Sequence, residues 1–219
     1  MNPGPKLLNT KEDVNLFTDN DDIQVVAFFG AFSANLKEAY RLAVDRLGQS
    51  VLFGAVEDPD VVKEFGKYED RIVMFRPTFL KSSFEDQIMI YNGPSERPNI
   101  TRWIMDEYHG LIGLRFVHNQ HQFPAPVVHI YINYDLEINH KNFHYLRNRF
   151  MEQANHFKGK TRFSISQIND YKDELKALGV NPETEFTNSE RVIIIAFDKF
   201  GQKFVLDLPE FTFNRFKGC

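Results

Sequence analysis

The sequence predicts an α/β protein made of two tandem units, each a mixed sheet flanked by helices. Three observations carry that reading. Short, continuous apolar runs alternate with stretches of helical spacing, the pattern of strands joined by crossover helices. The same order of elements occurs twice, at an offset of 102 residues for the first pair of long strands and 120 for a later pair, a drift that loop lengths account for. The 219 residues, 42% hydrophobic and 26% charged, suit two cores at ~100–200 residues per domain.

In the first unit, residues 6–8 form a brief strand, and Thr10 followed by Asp13 reads as the N-cap of a helix running to Phe17. Residues 24–29 (Gln-Val-Val-Ala-Phe-Phe) are an uninterrupted apolar run, as in a strand covered on both faces. Residues 33–47 carry Leu36, Tyr40, Ala43 and Leu47 on one helical stripe. Residues 51–56 are a second buried strand, and 59–65 a short helix stopped by Gly66. Residues 72–75 and 87–91 make two strands joined through Arg76-Pro77, and a helix over 100–108 closes the unit, with Asn99 as its N-cap.

The second unit repeats the series, with strands at 126–131, 161–166, 192–197 and 203–206 and helices at 142–157 and 169–178, the latter ended by Gly179. The boundary falls near His109-Gly110, giving units 1–110 and 111–219, with 111–116 opening the second. Beyond residue 208 only eleven residues remain, and they contain Pro209 and Gly218. The second unit is therefore expected to lack its closing helix, to be the less stable of the two, and to fold Phe211, Phe213 and Phe216 back as a partial substitute.

Composition excludes several classes of function. A net charge of −4 gives no nucleic-acid footprint. The longest aliphatic run, 192–197, is far short of the ~20 residues of a membrane helix. The one cysteine, Cys219, rules out an internal disulfide, a CxxC redox pair and a cysteine zinc site, and reads as a truncation scar rather than a functional thiol. The 22 phenylalanines predict aromatic-rich cores. Residues 1–5 lack the basic start and apolar stretch of a secretory leader, and Phe216-Lys217-Gly218-Cys219 is no retention tetrapeptide. Taken literally the chain reads as cytosolic; taken as part of a longer one, its termini carry no address. No cofactor is expected.

The element order is that of the thioredoxin fold, whose redox pair sits between the second strand and the long helix, where the helix N-terminus lowers a thiol pKa. Those positions read Phe29-Gly30-Ala31-Phe32-Ser33-Ala34 and Tyr131-Ile132-Asn133-Tyr134-Asp135-Leu136. Neither holds a thiol, and exchange needs an attacking and a resolving sulfur. Arg191 also stands where a redox-active domain carries a proline.

Phe75-Arg76-Pro77 with Phe84-Glu85-Asp86, then Tyr134-Asp135 and Tyr145-Leu146-Arg147-Asn148-Arg149, resemble the non-catalytic b and b′ domains of the protein disulfide isomerase family, in the branch of the calnexin-associated glycoprotein isomerase and its three-redox-domain cousin. The resemblance implies residence in the endoplasmic reticulum lumen and a binding or scaffold role in oxidative protein folding. It also implies as partners calnexin or calreticulin, or unfolded glycoprotein substrates. Lys141 and Arg149 match basic docking positions and Arg147, present beside them, is taken as a third contact, whereas Ser83 and Gln87 flank the Phe-Glu-Asp motif where the family has a lysine, and Leu146 replaces a tryptophan. Two alternatives stand beside this one: a piece of a full isomerase whose CxxC domains lie elsewhere, and a stand-alone redox-inactive chaperone.

Lesser signals have plainer readings. His140 and His144, at i and i+4, lack an acidic third ligand, and they read with His118 and His121 as solvated side chains rather than metal ligands. Asn99-Ile100-Thr101 is a glycosylation sequon on the expected cap. Residues 131–134 and the Phe-rich second unit read as core more readily than as an apolar peptide groove.

Overall fold

The computed structural model describes residues 4–134, 140–182 and 191–208. The chain divides into two compact units, Met1–Tyr108 and His109–Cys219. The first contains β1 (Lys6–Leu7), α1 (Lys11–Thr18), β2 (Gln24–Phe28), α2 (Ala34–Leu47), β3 (Leu52–Val56), α3 (Pro59–Glu64), β4 (Arg71–Phe75), β5 (Ile88–Ile90) and α4 (Arg97–Tyr108). The second contains β6 (Ile112–Leu114), β7 (Val127–Ile132), α5 (His140–His156), β8 (Arg162–Gln167), α6 (Lys172–Ala177), β9 (Val192–Phe197) and β10 (Lys203–Leu208).

The duplication extends to the sheets. Their strand orders, β1-β3-β2-β4-β5 and β6-β8-β7-β9-β10, are the same arrangement. In each, the first three strands in the row are parallel, the fourth is antiparallel to the third and the fifth antiparallel to the fourth. In the first unit, alternation along β2 and β4 sends Val26, Phe28 and Val73 to the face where α1 and α3 bring Val14, Val61 and Val62. Val25, Ala27, Ile72 and Met74 take the other face, all fully buried. There the Tyr40 hydroxyl of α2 bridges the carbonyls of Val25 (2.8 Å) and Gly54 (2.7 Å).

Local chemistry explains the helix starts. The Thr10 hydroxyl accepts from the Asp13 N–H at 3.0 Å while the Asp13 carboxylate accepts from the Thr10 N–H at 3.0 Å, a reciprocal cap. Asp58 accepts from the N–H groups of Asp60 and Val61 ahead of Pro59.

The Phe75-Arg76-Pro77 and Phe84-Glu85-Asp86 motifs meet in a buried ion pair. Arg76 Nη1 lies 3.4 Å from Glu85 Oε1, with both side chains almost wholly enclosed, and Arg76 Nη2 donates to the Glu107 carbonyl in the last turn of α4.

Two expectations are corrected. α4 begins at Arg97, so Asn99 is not its cap but lies in its first turn, where its Nδ2 donates to Glu96 Oε2 at 3.1 Å; a proline is tolerated at Pro98 because first-turn N–H groups have no helical partner. The short α3 ends at Glu64, just ahead of Gly66 as expected, and Gly66 opens a 3₁₀ turn, Gly66–Tyr68. The second unit has only a single 3₁₀ turn, Gln120–Gln122, where the first has α1. The described residues end with β10, so the closing helix expected to be lacking, and Phe211, Phe213, Phe216 and Cys219, lie outside them.

Candidate functional site

In the first unit the loop between β2 and α2 is closed by a latch. The Gly30 N–H donates to Ser33 Oγ (2.9 Å) and to Asp70 Oδ1 (3.0 Å), and the Ser33 hydroxyl donates to the same carboxylate oxygen. Asp70 has φ of +55°, the left-handed region that Asp tolerates better than most residues. A Cβ at position 30 would stand 2.8 Å from the carboxylate oxygens of Asp70 and Glu69, so a side chain there would have to displace them from the latch. Phe32, 93% exposed, projects from the loop.

The second unit's counterpart has no such latch among the described residues. β7 ends in Tyr131-Ile132, and Tyr134 turns inward, its ring 5.0 Å from that of Phe143 and its carbonyl accepting from the Gln167 side chain. Burial pushes the Tyr134 phenol well above its usual range. Residues 135–139, including Asp135 and Leu136, lie outside the description. Arg191, at the position of the missing proline, is buried and grips Asp207 of β10 with two bonds (Nε–Oδ1 2.9 Å, Nη2–Oδ2 2.6 Å) while Nη2 also donates to the Asn181 carbonyl at 3.2 Å.

The three basic docking positions separate. Arg147 is wholly buried, and its Nε and Nη2 donate to the Ile112 carbonyl of β6 at 3.3 and 3.2 Å. The expectation that it presents charge to a partner is therefore corrected: it is in phase with Phe143, Phe150 and Met151, all buried, so the core takes it. Arg149 is half-buried, its guanidinium 4.4 Å over the exposed Tyr145 ring and donating to the Tyr145 hydroxyl. Lys141 lies in the first turn of α5, its side chain outside the described residues; positions 141, 145 and 149 share one helical row.

Among the described residues no group of three potential metal ligands occurs, and the side chain of His140 lies outside them. His144 bonds Asn148, and His118 stacks on Phe116. Likewise no described helix is long and apolar enough to cross a membrane.

Sequence reasoning missed a buried polar network in the second unit. Arg115, just after β6, donates from Nη2 to Glu174 Oε2 of α6 (2.7 Å) and from Nη1 to the Tyr131 hydroxyl (3.4 Å), which itself donates to Glu174 Oε1. The Arg115 guanidinium also lies 4.2 Å over the Tyr171 ring. Burial works against the Glu174 carboxylate, but the bonds from Arg115 and Tyr131 outweigh it and hold its pKa below the usual range. Burial, then the neighbouring Arg115 charge, lowers His129 to about 4, with its Nδ1 2.6 Å from Ser164 Oγ. The only hint in the sequence is two polar rings, His129 and Tyr131, inside an apolar strand.

Charge divides unevenly between the units: the first carries 12 Lys and Arg against 18 Asp and Glu, the second 14 against 12, or −6 and +2.

Comparison with known proteins fits this geometry. A family model described as a thioredoxin-like domain matches residues 29–185. The chain is 24% identical to protein disulfide-isomerase A4 of Mus musculus over 95% of its own length and 33% of that protein's. It is 23% identical to the probable protein disulfide-isomerase A4 of Caenorhabditis elegans (95% and 34%) and 25% identical to the probable protein disulfide-isomerase ER-60 of Schistosoma mansoni (98% and 44%). The chain thus spans less than half the length of these relatives. The crystal structure of the bb fragment of ERp72 superposes with a TM-score of 0.80 at 23% identity, covering 98% of this chain and 94% of that one. The chain belongs to the thioredoxin-like family, homologous to the regions of protein disulfide-isomerase A4 and ER-60 that it spans.

Proposed function

We propose that this chain is a redox-inactive binding and spacing module of a disulfide-isomerase-type protein of the endoplasmic reticulum lumen. One observation carries the reading: neither strand-to-helix junction, where this fold performs thiol chemistry, holds a sulfur, and the first is closed by the latch of Gly30, Ser33 and Asp70. In a protein as long as its relatives, isomerase activity would belong to domains outside these residues.

The module's own work is recruitment, of the acidic arm of a lectin chaperone such as calnexin or calreticulin, or of an unfolded glycoprotein. Support for an acidic partner comes from the second unit's positive balance and from the helical row that joins Lys141, Tyr145 and Arg149, because complementary charge steers encounter and sets specificity. Arg147 has no part in it.

Insulin reduction by dithiothreitol tests the redox half: the chain leaves the rate at that of a no-protein control, and acceleration overturns the reading. Calorimetric titration with a calnexin arm domain tests the recruiting half. Arg149→Glu weakens binding more than Lys67→Glu in the first unit, whereas equal effects, or no binding by the unaltered chain, remove the acidic-partner reading.

A further inference from the structure

The chain holds a single Asn-X-Ser/Thr sequence, Asn99-Ile100-Thr101, and the structure gives it a setting that capping would have denied it. Because α4 begins at Arg97, the helix does not use the Asn99 side chain as its cap. That side chain is half-buried, and its Nδ2 donates to Glu96 Oε2 at 3.1 Å, a bond made at the exposed surface. The stretch leading into it, residues 92–98, is exposed throughout. Arg102 and Asp106, one and two turns further along the same helical row, are exposed as well. The amide nitrogen of Asn99 therefore stands on the side of α4 that faces solvent.

The other two members of the sequence face inward. Ile100 is wholly buried, and Thr101 is 7% exposed, its Oγ1 enclosed without a hydrogen-bond partner among the described residues. A buried hydroxyl left unmatched costs stability, and valine would fill much the same space without that cost. Folding thus gives this oxygen nothing to do, whereas N-glycosylation requires a hydroxyl two positions after the acceptor asparagine. The same burial sets the order of events. The three residues can be read in the extended, unpacked chain, but not once Ile100 and Thr101 have gone into the core.

We propose that Asn99 is a site of N-glycosylation, modified before α4 packs and carrying its glycan on the exposed side of that helix. The inference rests on the lumenal location proposed above, since the donor, a lipid-linked oligosaccharide diphosphate, is presented on that side of the membrane. In the transfer, Asn99 Nδ2 forms a bond to the anomeric carbon of the sugar. The bond from that carbon to the diphosphate oxygen breaks, its electron pair leaves with the diphosphate, and the nitrogen gives up one proton. The linked amide keeps one N–H, enough to maintain the bond to Glu96. Neither Ile100 nor Thr101 has to move, so the core of the first unit accepts the modification without repacking.

Expression of the full chain behind a cleavable secretory leader in a eukaryotic cell tests the site. The product migrates more slowly in gels than after treatment with peptide N-glycosidase F, which leaves aspartate at position 99, read by mass spectrometry. Asn99→Gln and Thr101→Val each lose this shift, and Thr101→Ser keeps it. Thr101→Val does so without lowering the urea midpoint of Trp103 fluorescence, which separates loss of the acceptor from loss of the fold. Absence of the shift from the leader-bearing chain, or its persistence in Asn99→Gln or Thr101→Val, overturns the proposal and leaves the lumenal location standing. A glycan on the leader-bearing chain but none on the natural protein upholds the acceptor and overturns the location instead.

Discussion

Acid should loosen the second unit through a single imidazole. His129 lies within β7, buried, its ring edge-on to Tyr131 and Phe197. Its folded pKa is about 4 against the ordinary 6.5, with burial the largest cause, the Arg115 charge second and Glu174 opposing both. The unfolded chain takes up a proton near pH 6.5 that the native unit refuses until about pH 4. Between those values the unfolded state binds more protons, so stability is complete above about pH 6.5 and falls as the pH drops toward 4. At ~1.4 kcal/mol per pH unit, the loss reaches about 3 kcal/mol, a large part of the ~5–15 kcal/mol of a typical domain. Glu174 does not imitate this: its pKa is held below 4.5, so its contribution is intact above about that pH and is lost only below it. His129→Gln keeps a polar partner for Ser164 and never charges. Urea unfolding followed by tyrosine circular dichroism and by hydrogen exchange in β7 and β9 should show the parent losing stability between about pH 6.5 and 4.5 and the variant holding level. Equal losses in both would refute the assignment to His129.

Three further outcomes are expected. Glu85→Ala strands the buried Arg76 charge and costs the first unit about 3–5 kcal/mol, read from the urea midpoint of Trp103 fluorescence, since the chain's one tryptophan lies in α4 of that unit. Arg147→Ala leaves the Ile112 carbonyl without its buried donor and destabilises the second unit by about 1–3 kcal/mol in thermal melts, whereas Arg149→Ala stays within about 0.5 kcal/mol. Gly54→Ala sets a methyl 2.9 Å from Leu8 and Phe17 and lowers the first unit's urea midpoint by the equivalent of about 1–3 kcal/mol.

Much of the fold was legible because its signals are local. The apolar run at β2 and the capping pair Thr10 and Asp13 each declare themselves within a few residues. At α4 the local signal was ambiguous, since Glu96 and Asn99 both offer a side-chain oxygen and Pro98 is acceptable in a first turn. The docking positions illustrate a different failure. Arg147 was grouped with Arg149 by charge, although its spacing from Phe143 and Phe150 already put it in phase with the core. The Arg115, Tyr131 and Glu174 network could not be read at all: its members lie 16 to 59 residues apart, and only the sheet brings them together. Likewise the Arg76 and Glu85 motifs were visible as words, but their meaning, a buried pair fastening a loop to α4, is tertiary.

The latch at Gly30 reaches further than the lack of sulfur. The Ser33 oxygen stands within hydrogen-bonding distance of the Asp70 carboxylate, so a thiol installed by Ser33→Cys would face a negative charge on ionising. A helix N-terminus ordinarily favours a thiolate, but here the nearer, full charge opposes it. Adding cysteines to this loop would therefore yield sluggish nucleophiles unless Asp70 went too. Composition and the neighbouring carboxylate thus act in the same direction against thiol chemistry at this loop.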